Sequence, residues 1–330
     1  MNNDCDYTAG ADIGGTNLRC GIFGAGGKPV SDERILMPEV PDVGFIIHNI
    51  KKFLNDNKKY NVKTVGIGIA GQIDAESGSI IFSPNLNWRD VPLKKRLEEE
   101  LGLNIFVTND LTAITYGEWK YGAGKGFNNL ICIFVGTGIG SGIIINGSLY
   151  TGCFNSAGEI GHTRIVSGGR KCTCGNYGCL EAYAGGHGIA SIAIERAYAD
   201  RTAFQDVINE SGGVIESITA KSIAEAYKAG SKEAVRLIEE TGKYLSDGVA
   251  SAVNLLSPCA VILGGGVLDG IPELFNIVKT ETLKRALKAS SSNLKILRSV
   301  LGEDALNFAS IKGSRSGRTA KQFVINLIKD

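Results

Sequence analysis

The sequence has almost no net charge: 35 Lys and Arg stand against 34 Asp and Glu over 330 residues, and no long run carries one sign. This balance excludes the electrostatic footprint of nucleic-acid or membrane-surface binding and favours a small neutral or mildly anionic ligand. No apolar run approaches the length of a membrane span. The opening residues, Met1-Asn2-Asn3-Asp4-Cys5-Asp6, have neither the basic nor the apolar region of a secretory leader, so a cytoplasmic protein is expected. In a reducing compartment a disulfide framework is excluded as well, and closely spaced cysteines point to a metal. A phosphate-binding P-loop is also missing. Gly122-Ala123-Gly124-Lys125-Gly126 has no Ser or Thr after Lys125 and lacks the required spacing.

What is abundant is glycine, 44 residues of it, which points to tight turns or to backbone that approaches a ligand closely. The length favours two domains, since single cores stop growing near roughly 250 to 300 residues. Tyr7 to Ile13 reads as a strand, Gly14-Gly15-Thr16 as a turn and Leu18 to Phe23 as a returning strand, with a third strand near Val30 to Leu36. Helical spacing of Val43, Ile46, Ile47, Ile50, Phe53 and Leu54 follows. Then come a buried strand at Thr64–Ala70, a turn-rich loop at Ser83–Trp88, a helix from about Pro92, a strand at Asn104–Thr108 and a helix from Asn109-Asp110 to about Tyr121. The order βββαβαβα describes a layered α/β domain. Leu130–Val135, Gly136-Thr137-Gly138-Ile139-Gly140-Ser141-Gly142 and Ile143–Asn146 repeat the strand, glycine turn, strand unit. Helices are expected at Ile189–Tyr198, Ser222–Leu256, Ile271–Lys288 and Ala320–Ile328, with strands at Ala260–Leu263 and Leu294–Val300. We expect a smaller domain over 1–120, with a helix at 318–330 as a candidate to complete it, and a larger one over 121–317.

Several groups of residues can carry chemistry. Consecutive N–H groups in a glycine turn can curl around a phosphate, Thr16 and Thr137 offer hydroxyls, and Asp12 can hold Mg²⁺ through water. The alternative for either turn is a plain hairpin that uses glycine for positive φ. Two such turns, with Gly264-Gly265-Gly266 after a third strand, favour a nucleotide. Asp110, where a strand meets a helix, is suited to take a proton from a substrate hydroxyl, or else Asn109 or Asp110 is simply the helix N-cap. Cys172, Cys174 and Cys179 with His162 form a Cys₃His set for a closed, structural Zn²⁺. Cys5, Cys20, Cys132, Cys153 and Cys259, scattered among apolar neighbours, read as small buried side chains. Glu159, His162 and Glu181 could bind the hydroxyls of a polyol such as a sugar, or could instead orient the metal ligands. His48 and His187 have no partner pattern.

The motifs Asp12-Ile13-Gly14-Gly15-Thr16, Asn109-Asp110, Gly136 to Gly142, Gly158-Glu159-Ile160-Gly161-His162 and Cys172 to Glu181 together resemble the ROK family (repressors, open reading frames, kinases). The resemblance runs in order from about residue 8 to residue 270. It implies an α/β, two-domain actin/hexokinase-like (ribonuclease H-like) fold with a cleft between domains, and ATP-dependent phosphorylation of a hexose at its 6-hydroxyl. Glucose is the first expectation, and N-acetylmannosamine, N-acetylglucosamine, fructose and allose are the alternatives. It further implies phosphate binding at Asp12, Gly14, Gly15, Thr16, Gly136, Thr137 and Gly138, and adenosine near Gly264, Gly265 and Gly266. Asp110 would be the base, Asn85, Asn109, Glu159, His162 and Glu181 the sugar contacts, and His162 a zinc ligand beside Cys172, Cys174 and Cys179. ATP, Mg²⁺ and structural Zn²⁺ are the expected cofactors, and a homodimer or larger homo-oligomer the expected assembly. Asn17 stands where many members have Lys, and the tail from Asp304 lacks the usual run of small residues. Repressors of the family carry an N-terminal DNA-binding domain, and no space for one is expected before Asp12.

Overall fold

In the first unit of the fold, three strand ends are brought into line. A computed structural model describes residues 7–24, 29–74 and 76–301, and the expected helix at 320–328 lies outside them. Strand β1 (Thr8–Ile13) turns into antiparallel β2 (Asn17–Phe23), and β3 (Pro29–Leu36) completes the meander. Helix α1 (Val43–Asp56) then crosses to β4 (Thr64–Ile69), which runs parallel to β1. A three-stranded sheet of β5 (Gln72–Ile73), β6 (Ile80–Ser83) and β7 (Trp88–Val91) follows, then α2 (Leu93–Leu101), β8 (Asn104–Asn109) and α3 (Asp110–Tyr121). The main sheet has the order β3-β2-β1-β4-β8. Its register pairs Ile13 with Ile69 and Ile69 with Asn109, so the glycine turn, the end of β4 and the start of α3 share the carboxyl edge of the parallel strands. That edge is where open α/β sheets bind ligands.

The local reasons are ordinary ones. On β1 the side chains of Ala9, Ala11 and Ile13 point into the core, where Ile46, Ile50 and Phe53 of α1 and Leu93 and Leu97 of α2 are buried. Helix α1 starts where Asp42 accepts the Phe45 N–H at 2.6 Å. The strands β5 to β7 are a feature absent from the sequence-based expectation, which placed only a loop at Ser83–Trp88. They are two to four residues long, too short for a period-2 pattern to register.

The second unit begins with β9 (Leu130–Val135), beside which β10 (Ile139–Ile145) returns; the end of β10 and β11 (Ser148–Tyr150) form an antiparallel hairpin assigned to the first unit. Among the described residues the first unit holds those up to Asn128, Gly142–Ala157 and those from Val300, and the second holds Asn129–Ser141 and Gly158–Ser299. The second continues with α4 (Glu181–Ala184), α5 (Gly186–Ala199), α6 (Gln205–Glu210), α7 (Ala220–Lys228) and α8 (Lys232–Leu256). The chain then forms β12 (Ala260–Gly264), α9 (Gly266–Gly270), α10 (Pro272–Arg285), α11 (Lys288–Ser291) and β13 (Lys295–Arg298). Strand β12 lies parallel to both β9 and β13. The expected helix over 222–256 is two helices, because Gly230 adopts φ +83° and ends α7 before α8 begins.

Glu118, on α3, is fully buried, and its carboxylate is surrounded by backbone donors: Ala123 N at 2.9 Å on Oε2, with Val300 N at 3.0 Å and Leu301 N at 2.8 Å on Oε1. It thereby closes the end of α3 and fixes the start of the segment beyond β13. Because truncation removes the charged acceptor of three part-buried N–H groups, Glu118→Ala is expected to cost about 2 kcal/mol, and Glu118→Gln clearly less. Urea unfolding of the two variants checks this, and equal midpoints for wild type and Glu118→Ala would contradict it.

Candidate functional site

At the carboxyl edge of the first sheet, Asn109 and Asp110 divide the work that the sequence left ambiguous between them. Asn109 is the N-cap: its Oδ1 accepts the N–H groups of Leu111 (3.0 Å) and Thr112 (3.2 Å), while its Nδ2 donates to the Gly71 carbonyl at 3.1 Å. Asp110 is the first residue of α3. Its Oδ1 accepts only the Leu111 N–H, at 2.9 Å, and Oδ2 accepts no hydrogen bond from another described residue. Burial raises the Asp110 pKa above the ordinary aspartate range, and the N–H groups of Leu111 and of Asp110 itself offset this only in part. A carboxylate with one free oxygen and raised basicity suits proton abstraction.

The neighbouring turn is held by Gly14 N–H donating to the Asn17 carbonyl and Met37 N–H donating to the Thr16 carbonyl. Asn85 lies against it: a Cβ built on Gly15 would sit 3.5 Å from that of Asn85. Ser83 ties this region to the strand ends by donating to the Ala70 carbonyl at 2.7 Å. Asp12 sits across from Arg19 in the β1–β2 register. The two glycine turns do not use glycine for positive φ at Gly15 or Gly136. An added Cβ at Gly15 makes only ordinary contacts, and one at Gly136 meets nothing within 4 Å. Protein geometry does not demand glycine at either position. In the third glycine group the reasons differ: Gly265 has φ +100°, and a side chain on Gly264 would strike Phe134 and Ser299.

The cysteine loop of the second unit gathers its ligands as the spacing predicts. The donor atoms of His162, Cys172, Cys174 and Cys179 all lie within 4.8 Å of one another. Cys174 Sγ and Cys179 Sγ are 3.8 Å apart, and Cys172 Sγ lies 3.7 Å from His162 Nδ1. A tetrahedral zinc with Zn–S bonds of about 2.3 Å sets its sulfurs about 3.8 Å apart, so the spacing fits a shared ion and excludes a disulfide. Burial and the thiols of Cys174 and Cys172 push Cys179 up to about 12, burial raises Cys172, and only Cys174 is lowered, chiefly by the Asn176 N–H. Three thiolates are stable here only with a positive partner.

With Nδ1 facing the sulfurs, the His162 ring presents Nε2 3.9 Å from Oε2 of exposed Glu159. The turn carrying both residues packs on β10 so closely that a Cβ on Gly161 would lie 2.1 Å from the Ile139 carbonyl. Glu181 is engaged on both oxygens: Oε2 accepts the Ile139 N–H at 2.9 Å and Oε1 accepts the Thr173 hydroxyl at 3.0 Å, with Cys172 Sγ 3.8 Å away.

Sequence reasoning missed Thr173 and Ser83, whose partners are distant in the chain, and His187, whose backbone N–H donates to the Thr137 carbonyl at 2.9 Å. It also misjudged two thiols: Cys20 and Cys132 are buried as expected, but Cys153 and Cys259 are exposed, since each sits in a connecting segment whose apolar neighbours do not enclose it. Cys5 lies outside the described residues.

A model described as the ROK family matches residues 8–313, which include every candidate residue. The glucokinase of Streptomyces coelicolor is 36% identical over 263 residues, covering 79% of this chain and 82% of that protein. The xylose repressor of Bacillus subtilis is 31% identical over 310 residues, covering 92% of this chain and 76% of the repressor. Among solved structures, a ROK family glucokinase from Streptomyces griseus in complex with glucose and AMPPNP shares 33% identity at a TM-score of 0.81, over 94% of this chain and 100% of that one. From the matched motifs and the shared architecture, the chain belongs to the ROK family and has its actin/hexokinase-like fold.

Proposed function

We propose that this protein is an ATP-dependent hexokinase acting at the sugar 6-hydroxyl, with glucose as the substrate. The observation that carries this reading is Asp110, a carboxylate with raised pKa whose Oδ2 accepts no hydrogen bond from another described residue, at the carboxyl edge of the first sheet beside a glycine turn. The relatives named glucokinase support the choice of glucose. Among the described residues no helix is long and apolar enough to cross a membrane, and we place the enzyme in the cytoplasm.

In this reading Asp110 takes the proton of the 6-hydroxyl as its oxygen bonds to the γ-phosphorus, and ADP departs with the electrons of the broken bond. Asn85, Glu159, His162 and the remaining N–H of Asn109 bind sugar hydroxyls. Glu181 has lone pairs to spare for a sugar hydroxyl beyond those serving Ile139 and Thr173. The glycine turns at 14–16 and 136–138 receive phosphates, and Asp12 would hold the Mg²⁺ that neutralises their charge. Cys172, Cys174, Cys179 and His162 would hold zinc, which fixes the loop and, with four protein ligands, leaves no position for substrate. The similarity to a xylose repressor makes a sugar-responsive regulator the rival reading.

A coupled ADP-release assay over hexoses and N-acetylhexosamines separates these readings: glucose is expected to give the highest kcat/KM, and sugar binding without turnover of any sugar would favour the regulator. Asp110→Asn is expected to lower kcat by about 10³-fold while glucose still binds. In wild type kcat/KM should fall on acidification through a pKa above that of an ordinary aspartate. The same shift has a stability consequence. A folded-state pKa above the unfolded value favours folding at low pH, and that contribution is lost as pH rises through the folded pKa. At neutral pH the Asp110 charge therefore opposes folding, and Asp110→Asn should melt no lower than wild type. Near-normal turnover in this variant would eliminate Asp110 as the base.

For the metal, elemental analysis is expected to find about one zinc per chain. A zinc-selective chelator at saturating Mg²⁺ should abolish activity, and added Zn²⁺ should restore it. Retention of zinc by Cys179→Ser would contradict the ligand assignment.

A further inference from the structure

The proposed phosphate turn at Gly136–Gly138 is held almost entirely by the segment that follows the cysteine loop. The Gly186 and His187 N–H groups donate to the Gly136 and Thr137 carbonyls, each at 2.9 Å. The next residue, Ile139, donates its N–H to Glu181 Oε2 at 2.9 Å in place of a backbone acceptor. Gly138 is shaped to the same carboxylate: its φ is not positive, yet an added Cβ would lie 2.3 Å from Glu181 Oε2. Glycine is thus needed there to let the carboxylate reach the Ile139 N–H. The other oxygen, Oε1, takes the hydroxyl of Thr173, the residue between the cysteines at 172 and 174, at 3.0 Å. One carboxylate therefore spans the metal loop and the turn, with a hydrogen bond at each end.

We propose that Glu181 is a positioning residue that couples the order of the cysteine loop to nucleotide binding at the Gly136–Gly138 turn, through Thr173 on one oxygen and the Ile139 N–H on the other. This rests on the reading of that turn as a phosphate site. A carboxylate accepting an N–H makes a charge-assisted bond about twice as strong as a neutral one, so its charge matters as well as its shape. Binding of sugar alone would give Glu181 no influence on nucleotide in the absence of sugar. The coupling does.

The experiment is calorimetric titration with Mg·ADP, without sugar, of wild type, Glu181→Gln and Thr173→Val, with and without prior removal of metal by a zinc-selective chelator. Hydrogen exchange of the segment 136–142 is followed in parallel. Glu181→Gln is expected to weaken Mg·ADP roughly tenfold, and Thr173→Val roughly threefold, with faster exchange at Ile139 in both. Stripping the metal should weaken Mg·ADP in wild type and add little in Glu181→Gln. If wild type binds Mg·ADP and both variants bind it equally well, the coupling is wrong and the kinase reading stands. If stripping weakens wild type and Glu181→Gln by the same factor, the metal loop acts independently of Glu181 and the coupling is again overturned. If wild type binds no Mg·ADP at all, the phosphate reading of the turn fails and this inference with it. Thr173→Val replaces no metal ligand, although its hydroxyl also lies 3.9 Å from Cys172 Sγ, and it keeps the test open if Glu181→Gln does not fold.

Discussion

The second unit depends on a carboxylate that shares itself between two loops. Glu181 heads a helix of four residues, too short to be stable alone, and is placed by the cysteine loop on one side and the start of β10 on the other. Without it the Ile139 N–H would lose a charged acceptor in a buried position, and the exposed Thr173 hydroxyl would lose its carboxylate partner. The packing conforms to this arrangement. Gly138 makes room for the carboxylate, and Gly161 brings Glu159 and His162 against the Ile139 carbonyl from another direction. Ile139 is thus gripped at its N–H by one motif and crowded at its carbonyl by another, both adjoining the metal ligands.

That arrangement explains why glycine dominates the motifs, for reasons that differ between neighbours. At Gly138 the constraint is an internal carboxylate, and at Gly265 it is backbone conformation. At Gly136 neither applies, although the residue belongs to the same turn as Gly138. A sequence pattern records only that each is glycine. Separating glycines that the packing requires from those that it does not requires the positions of distant side chains.

Legibility in the sequence followed the range of the interaction. The cysteine loop was readable because its ligands are close in sequence and have few other roles, and the structure gathers all four donor atoms. The strand, turn, strand units were readable from local turn chemistry and buried runs. Asn109 and Asp110 were readable as a pair but not as individuals, since adjacent polar residues at a helix start can exchange the capping role. Only the register that ends β8 at Asn109 decides which one caps. The strands β5 to β7 were hidden by their shortness, and Thr173 by having its partner eight residues away across a turn. Exposed Cys153 and Cys259 show the opposite error, in which apolar composition nearby was taken for enclosure although burial depends on what packs from elsewhere.

Asp110 and the cysteine cluster meet the same electrostatic problem in opposite ways. At Asp110 the fold withholds compensation: one carboxylate oxygen has a single external donor and the other has none among the described residues, so desolvation outweighs hydrogen bonding and the group remains basic. At the cysteine cluster the fold crowds thiols that resist ionising together, and the donor set is stable as thiolates only if a dication joins it. The first charge is disfavoured by its desolvation. The second problem would be met by a metal ion held among the four donor atoms. Glu181 differs from Asp110 in having a donor on each oxygen, the Ile139 N–H on one and the Thr173 hydroxyl on the other, and these two bonds fix its geometry. Donor supply, more than residue type, therefore distinguishes the surroundings of the two carboxylates.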